Sequence, residues 1–290
     1  MRGQTEKNIE RRHPLLPLAE IGIVVLSGFV TSYVMRAAAF NFFALPHLVF
    51  LLTAVFLRSI VGKWKPSDWG FHCQDIRGQI KLGLLMWTVI QAYYAAMHLF
   101  APLFPTASKI GAKIFNVTTP GKLGETILST ALFKAGFLES LRYFAYAEGL
   151  LLQAFGAPLG AVMSLAYFGS AHMGIMNLIV LPVSFFFVYF YRTYKLIIPL
   201  IIFHILGDTG GMIQNYLSFR EMYLYNDILF FLLLIVIFLH RAEIKSALKQ
   251  IGGALAHDTA YLKKHKLKAV LLSLVLPLWL HFLLYIGSRL

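Results

Sequence analysis

LIIPLIIFHILGDTGG, residues 196–211, reads as a membrane-crossing helix with two ionisable side chains, His204 and Asp208, set into it. The same conflict recurs around Glu139 in ALFKAGFLESLRYFAYAEGLL, residues 131–151, and around His172 in SLAYFGSAHMGIMNL, residues 164–178. An ionised side chain in a bilayer core costs roughly 2.5–3.5 kcal/mol on insertion scales unless it faces a cavity or a partner. Four such groups in three consecutive segments are therefore expected to face one another.

The rest of the chain supports the membrane reading. Hydrophobic residues make up 58% of the 290 and charged residues only 13%, against about a quarter charged in soluble domains. Mean hydropathy is +0.69. The apolar runs recur along the whole length, each near the roughly 20 residues that cross the hydrocarbon. Nine are expected, near Leu15–Met35, Phe40–Leu57, Ile80–Phe100, Leu123–Gly149, Ala157–His172, Ile175–Tyr191, Leu196–Ile213, Leu224–Leu239 and Leu267–Ile286. The first keeps Glu20 and has no small-residue cleavage site after it, so it is expected to be a retained helix. The fold class is all-α: a polytopic transmembrane bundle of eight or nine spans.

The net charge of +13 is carried in particular loops. Arg2, Lys7, Arg11 and Arg12 precede the first span; Arg58, Lys63, Lys65, Arg77 and Lys81 follow the second. Arg192 and Lys195 follow the sixth, and Arg241, Lys245, Lys249, Lys263, Lys264, Lys266 and Lys268 lie between the eighth and ninth. Nine spans and a cytoplasmic N-terminus put all of these inside, as the positive-inside rule requires, while Lys109, Lys113 and Lys122 fall outside. The charge is thus read as topology signal and anionic-lipid contact, not as a nucleic-acid surface, which would interleave aromatic and basic residues. Cys73 is the only cysteine, which excludes an intramolecular disulfide and a thiolate metal cluster.

The chain reads as one membrane domain with three parts. Residues 1–122 hold the N-terminal spans and a polar outer loop, in which Ala107–Val117 is expected to form a short interfacial helix. Residues 123–213 hold the buried polar groups. Residues 214–290 hold the last spans around a basic loop, Arg241–Lys268, expected as an amphipathic helix on the inner surface.

His204 and Asp208 are four residues apart and so stack on one helix face. Arg142, three residues after Glu139, offers it a local ion pair. At 1.5 Å per residue, Glu139 and His204 lie at similar depths, roughly 15 and 13 Å from the inner ends of their spans, while His172 falls nearer an outer end. A carboxylate beside imidazoles in a partly dry cavity suits the activation of water, and a second imidazole with a fixed Asp suits an oxyanion. The same four residues also fit zinc ligation or a proton relay in a transporter. The absence of paired broken helices in two matching halves speaks against a transporter.

In order and spacing these motifs resemble the CPBP family, the CAAX prenyl proteases of the Ras-converting type and the related bacteriocin-processing or immunity proteins. The family pattern, Glu-Glu-x-x-x-Arg, then Phe-x-x-x-His, then His-x-x-x-Asn/Asp on successive helices, is matched by FLESLRYFAYAEGLL, by Phe168-Gly-Ser-Ala-His172 and by His204-Ile-Leu-Gly-Asp208. The stretch WKPSDWGF, residues 64–71, is similar to a glycine-containing segment of many members. The resemblance implies that Glu139 activates the water, that His172 assists it, and that His204 and Asp208 support the oxyanion. Arg142, Ser140, Phe168 and Asn177 fall in supporting positions. It implies a glutamic intramembrane endopeptidase with no cofactor, acting on a membrane-associated peptide or protein in what is expected to be a prokaryotic plasma membrane. Here the second Glu of the first motif is Ser140 and its Arg is Phe144. Losing both removes a pair without leaving a buried charge unpartnered, and a non-cleaving peptide-binding or immunity protein is the alternative that this loss keeps open.

Overall fold

The computed structural model describes residues 15–37, 45–99, 119–170 and 176–289, and what it describes is helical, with no strand. The helices are α1 (Leu15–Ala37), α2 (Leu45–Leu57, prolonged by a π-turn over Arg58–Gly62), α3 (Ile76–Leu99), α4 (residues 120–155), α5 (Ala157–Ser170), α6 (Met176–Tyr194), α7 (Ile198–Tyr216), α8 (Phe219–Leu239), α9 (Arg241–Lys264) and α10 (Lys266–Arg289). Each expected span within the described residues coincides with a helix, and the basic loop folds as α9. The expected interfacial helix at Ala107–Val117 and the first basic cluster lie outside the described residues.

Local chemistry sets the ends. Ser218 and Glu221 cap α8 reciprocally, the Ser218 backbone N–H donating to the Glu221 carboxylate at 2.9 Å, as a Ser-x-x-Glu capping box does. Thr119 caps α4 ahead of Pro120, and Pro199 opens α7, a place where its missing N–H costs nothing. Gly156, at φ +79°, makes the turn from α4 into α5 that a side chain would strain.

Helix α4 departs from ordinary winding. Over Ile127–Glu139 and again over Leu141–Glu148 its backbone closes i→i+5, and only its ends are α-helical. Such π-winding is rare and is usually confined to a single turn.

Helices α3, α7, the π-wound part of α4 and α8 form one group; α5 packs against α6, α10 and the end of α4; α1 pairs with α2. The core is aromatic, with Phe144, Tyr146, Tyr167, Phe168, Phe187 and Phe190 fully buried. Glu20 on α1 and Arg58 after α2 form an ion pair sealed in this interior, joined by the Tyr146 hydroxyl, which donates to Glu20 at 3.3 Å. Trp64 covers the guanidinium, and Trp69 stacks on Tyr146.

Helix α9 buries Ile244, Ala247 and Ile251 along one stripe and turns its basic residues outward. Asp258, also buried, fixes it to Arg192 at the end of α6 through contacts of 2.6 Å. Lys81 on α3 donates to Glu243 at 2.9 Å at the other end. That bond, with a second from His240, holds the Glu243 carboxyl below its ordinary value.

Apolar side chains also cover the outside. On α8, Leu224, Ile228, Phe231, Leu232, Ile235, Phe238 and Leu239 are exposed, and α1 and α10 carry similar rows. Among the described residues, two helices are long and apolar enough to cross a membrane, at Leu15–Met35 and Arg220–Leu239. Shorter apolar stretches run over Leu48–Ile60, Ala157–Gly169 and Ile198–Gln214.

Candidate functional site

His204 and Asp208 stand one turn apart on α7, as their spacing predicts, and Gly207 between them leaves room beside their side chains. All three line a cavity of about 160 Å³. Its opposite wall is the Trp87, Ile90, Gln91 and Tyr94 face of α3, and Phe168 of α5 with Val183 and Phe187 of α6 complete it. Three of the residues that carry the last two sequence motifs, Phe168, His204 and Asp208, therefore meet at one opening, although Phe168 is far from the other two along the chain.

Ser140 of α4 orients the imidazole. Its hydroxyl, wholly buried, is hydrogen-bonded to His204 Nδ1 at 3.2 Å, which leaves Nε2 as the nitrogen free to meet a ligand. Phe144, one turn on, packs on Phe168 and Phe187 at ring distances of 5.1 and 5.2 Å, and Phe187 lies 5.2 Å from the His204 ring. Positions 140 and 144 thus share one side of α4, where the sequence put the missing Glu and Arg. Gly136 makes this approach possible: a Cβ there would fall 2.1 Å from Ile205 Cγ1.

Glu139 sits next to Ser140 on the same turn of α4. It is half-buried and forms an ion pair with Lys134 at 3.6 Å. Among the described residues that line the cavity, Glu139 is not one. The Arg142 guanidinium donates to the Tyr167 hydroxyl at 3.4 Å and lies over the rings of Phe50 and Tyr143. His172 lies outside the described residues, as does the side chain of Asn177. No group of three metal-ligating side chains occurs among the described residues.

The α3 wall was not anticipated. Gln91 is uncharged and breaks no hydropathy pattern, so only its position three residues before Tyr94 and four after Trp87, on one helix face, signals a polar group facing inward. Compared with known protein families, curated proteins and solved structures, the chain matches none.

Proposed function

We propose that this chain is a polytopic membrane protein of eight or nine spans, resembling the CPBP type, that hydrolyses a peptide at the cavity between α3, α6 and α7. The exposed apolar rows of α1, α8 and α10 support the membrane part, because a water-facing surface rarely carries contiguous apolar patches of that extent. The site reading rests on one observation: Phe168, His204 and Asp208 line a single cavity, with Ser140 holding the imidazole.

In this reading Glu139, which lies 3.6 Å from Lys134, takes a proton from a water molecule. The resulting hydroxide adds to the peptide carbonyl, and His204 with Asp208 supports the charge that forms on the carbonyl oxygen. The proton held by Glu139 then passes to the leaving nitrogen as the C–N bond breaks. No cofactor enters, and the partners are membrane lipid and a peptide or protein substrate. A prokaryotic plasma membrane is the proposed location.

The ion pair of Glu139 with Lys134, and its place outside the cavity lining, favour a second reading in which the protein binds a peptide without cutting it. Glu139→Gln separates the two. The variant is nearly isosteric, so thermal unfolding in detergent is expected to be unchanged while release of a fluorogenic membrane-anchored peptide falls to background. Cleavage that survives the substitution refutes the glutamic mechanism. Binding by the wild type without any product supports the non-cleaving reading.

A further inference from the structure

Gln91 is 5% exposed, and among the described residues its amide has no hydrogen-bond partner. Neither of its amide atoms is sealed off, and the residue lines the cavity that Trp87, Tyr94, Phe168 and Phe187 wall with rings. Gly210 faces it from α7: a Cβ added there would lie 3.8 Å from both Nε2 and Oε1. The glycine therefore leaves the amide uncovered, two residues beyond Asp208. A polar group so little exposed needs a hydrogen-bond partner where it meets the cavity, a ligand or a water molecule, because desolvating it costs free energy that only such a bond returns.

A carboxamide offers two N–H donors and a carbonyl acceptor on one planar group, which is the complement of a main-chain peptide unit. A charged ligand would find its better partners in His204 and Asp208, and a purely apolar one would leave the amide as it stands. We propose that Gln91 binds the main chain of an apolar peptide segment in the cavity, Nε2 donating to a backbone carbonyl and Oε1 accepting a backbone N–H, with the flanking side chains against the aromatic walls. The proposal rests on the peptide reading above and adds to it the residue that fixes the register of the bound strand.

The test uses the full chain in lipid nanodiscs and a short fluorescent apolar peptide. A series of analogues replaces one backbone N–H at a time by an ester oxygen. Gln91→Leu is expected to weaken binding of the parent peptide roughly threefold to tenfold, the range of one neutral hydrogen bond. One ester analogue is expected to bind the wild type more weakly than the parent does, and to bind Gln91→Leu no differently from it. His204→Ala is expected to keep that difference. Should Gln91→Leu fold poorly, Gln91→Met replaces it. If no ester analogue differs from the parent on the wild type, Gln91 does not read the main chain, and a water molecule satisfies the amide instead. If Gln91→Leu binds every peptide as the wild type does while His204→Ala is impaired, the Gln91 assignment falls and the peptide reading stands. If no form binds any of the peptides, both fall together.

Discussion

Removing the Ser140 hydroxyl by Ser140→Ala leaves Nδ1 of a buried His204 without its bond. The expected cost is about 1–3 kcal/mol, the penalty of an unsatisfied buried polar group, read as a lower midpoint of thermal unfolding in detergent. The Glu20–Arg58 pair is expected to behave more severely. Glu20→Gln should cost about 3–5 kcal/mol because it removes the counter-charge of a guanidinium that is 2% exposed, whereas Glu20→Leu combined with Arg58→Met should cost much less. Equal losses in the single and double variants, measured in the same unfolding assay, would contradict a buried pair. At this scale the sequence exposes charges well and neutral polar groups poorly. His204 and Asp208 stand out because each interrupts an apolar run. Ser140 and Gln91 do not, although the first is bonded to the imidazole and the second faces the same cavity. The partner of Glu139 was hidden for a different reason: Lys134 is five residues back, a separation that shares no face of an α-helix but matches the i→i+5 closure observed there.

The contact of α4 with α7 depends on Gly136, so Gly136→Val forces a branched side chain into Ile205. Overpacking of this kind costs typically about 1–3 kcal/mol. Gly136→Ala should be milder, and milder still when Ile205→Val accompanies it. Because His204 adjoins Ile205, Gly136→Val is also expected to reduce peptide binding, whereas a variant confined to the outer face of α8, such as Phe231→Leu, leaves binding at the wild-type level. Hydropathy alone located the helices, and the basic run foretold α9, because both depend only on the period and sign of the residues. Winding was not legible. The residues of 127–148 carry no proline, and nothing in their apolar pattern separates closure at four from closure at five.

The whole molecule offers a direct test of its orientation. Cys73 is the single cysteine and is exposed, in the segment between α2 and α3 that the charge pattern puts inside. A membrane-impermeant maleimide is expected to label inside-out vesicles and to spare right-side-out ones; the reverse pattern would overturn the proposed topology. Among the described residues, two helices are long and apolar enough to be spans by themselves, and α3, α4 and α7 bury the polar groups Gln91, Ser140 and His204. A sequence window averages such residues with their apolar neighbours, and α1 and α8 themselves bury Glu20 and Asn226, so the polar interior had to be inferred from its interruptions.

The buried tie among Glu20, Arg58 and Tyr146 also bears on biogenesis. Glu20 leaves the ribosome 38 residues before Arg58 and 126 before Tyr146. If α1 is a span, as proposed, its carboxyl reaches the membrane while its counter-ion is still being synthesised. In the proposed topology the first two helices are therefore expected to enter the lipid as one hairpin, with translation, not α1 alone, setting the moment at which that hairpin becomes stable.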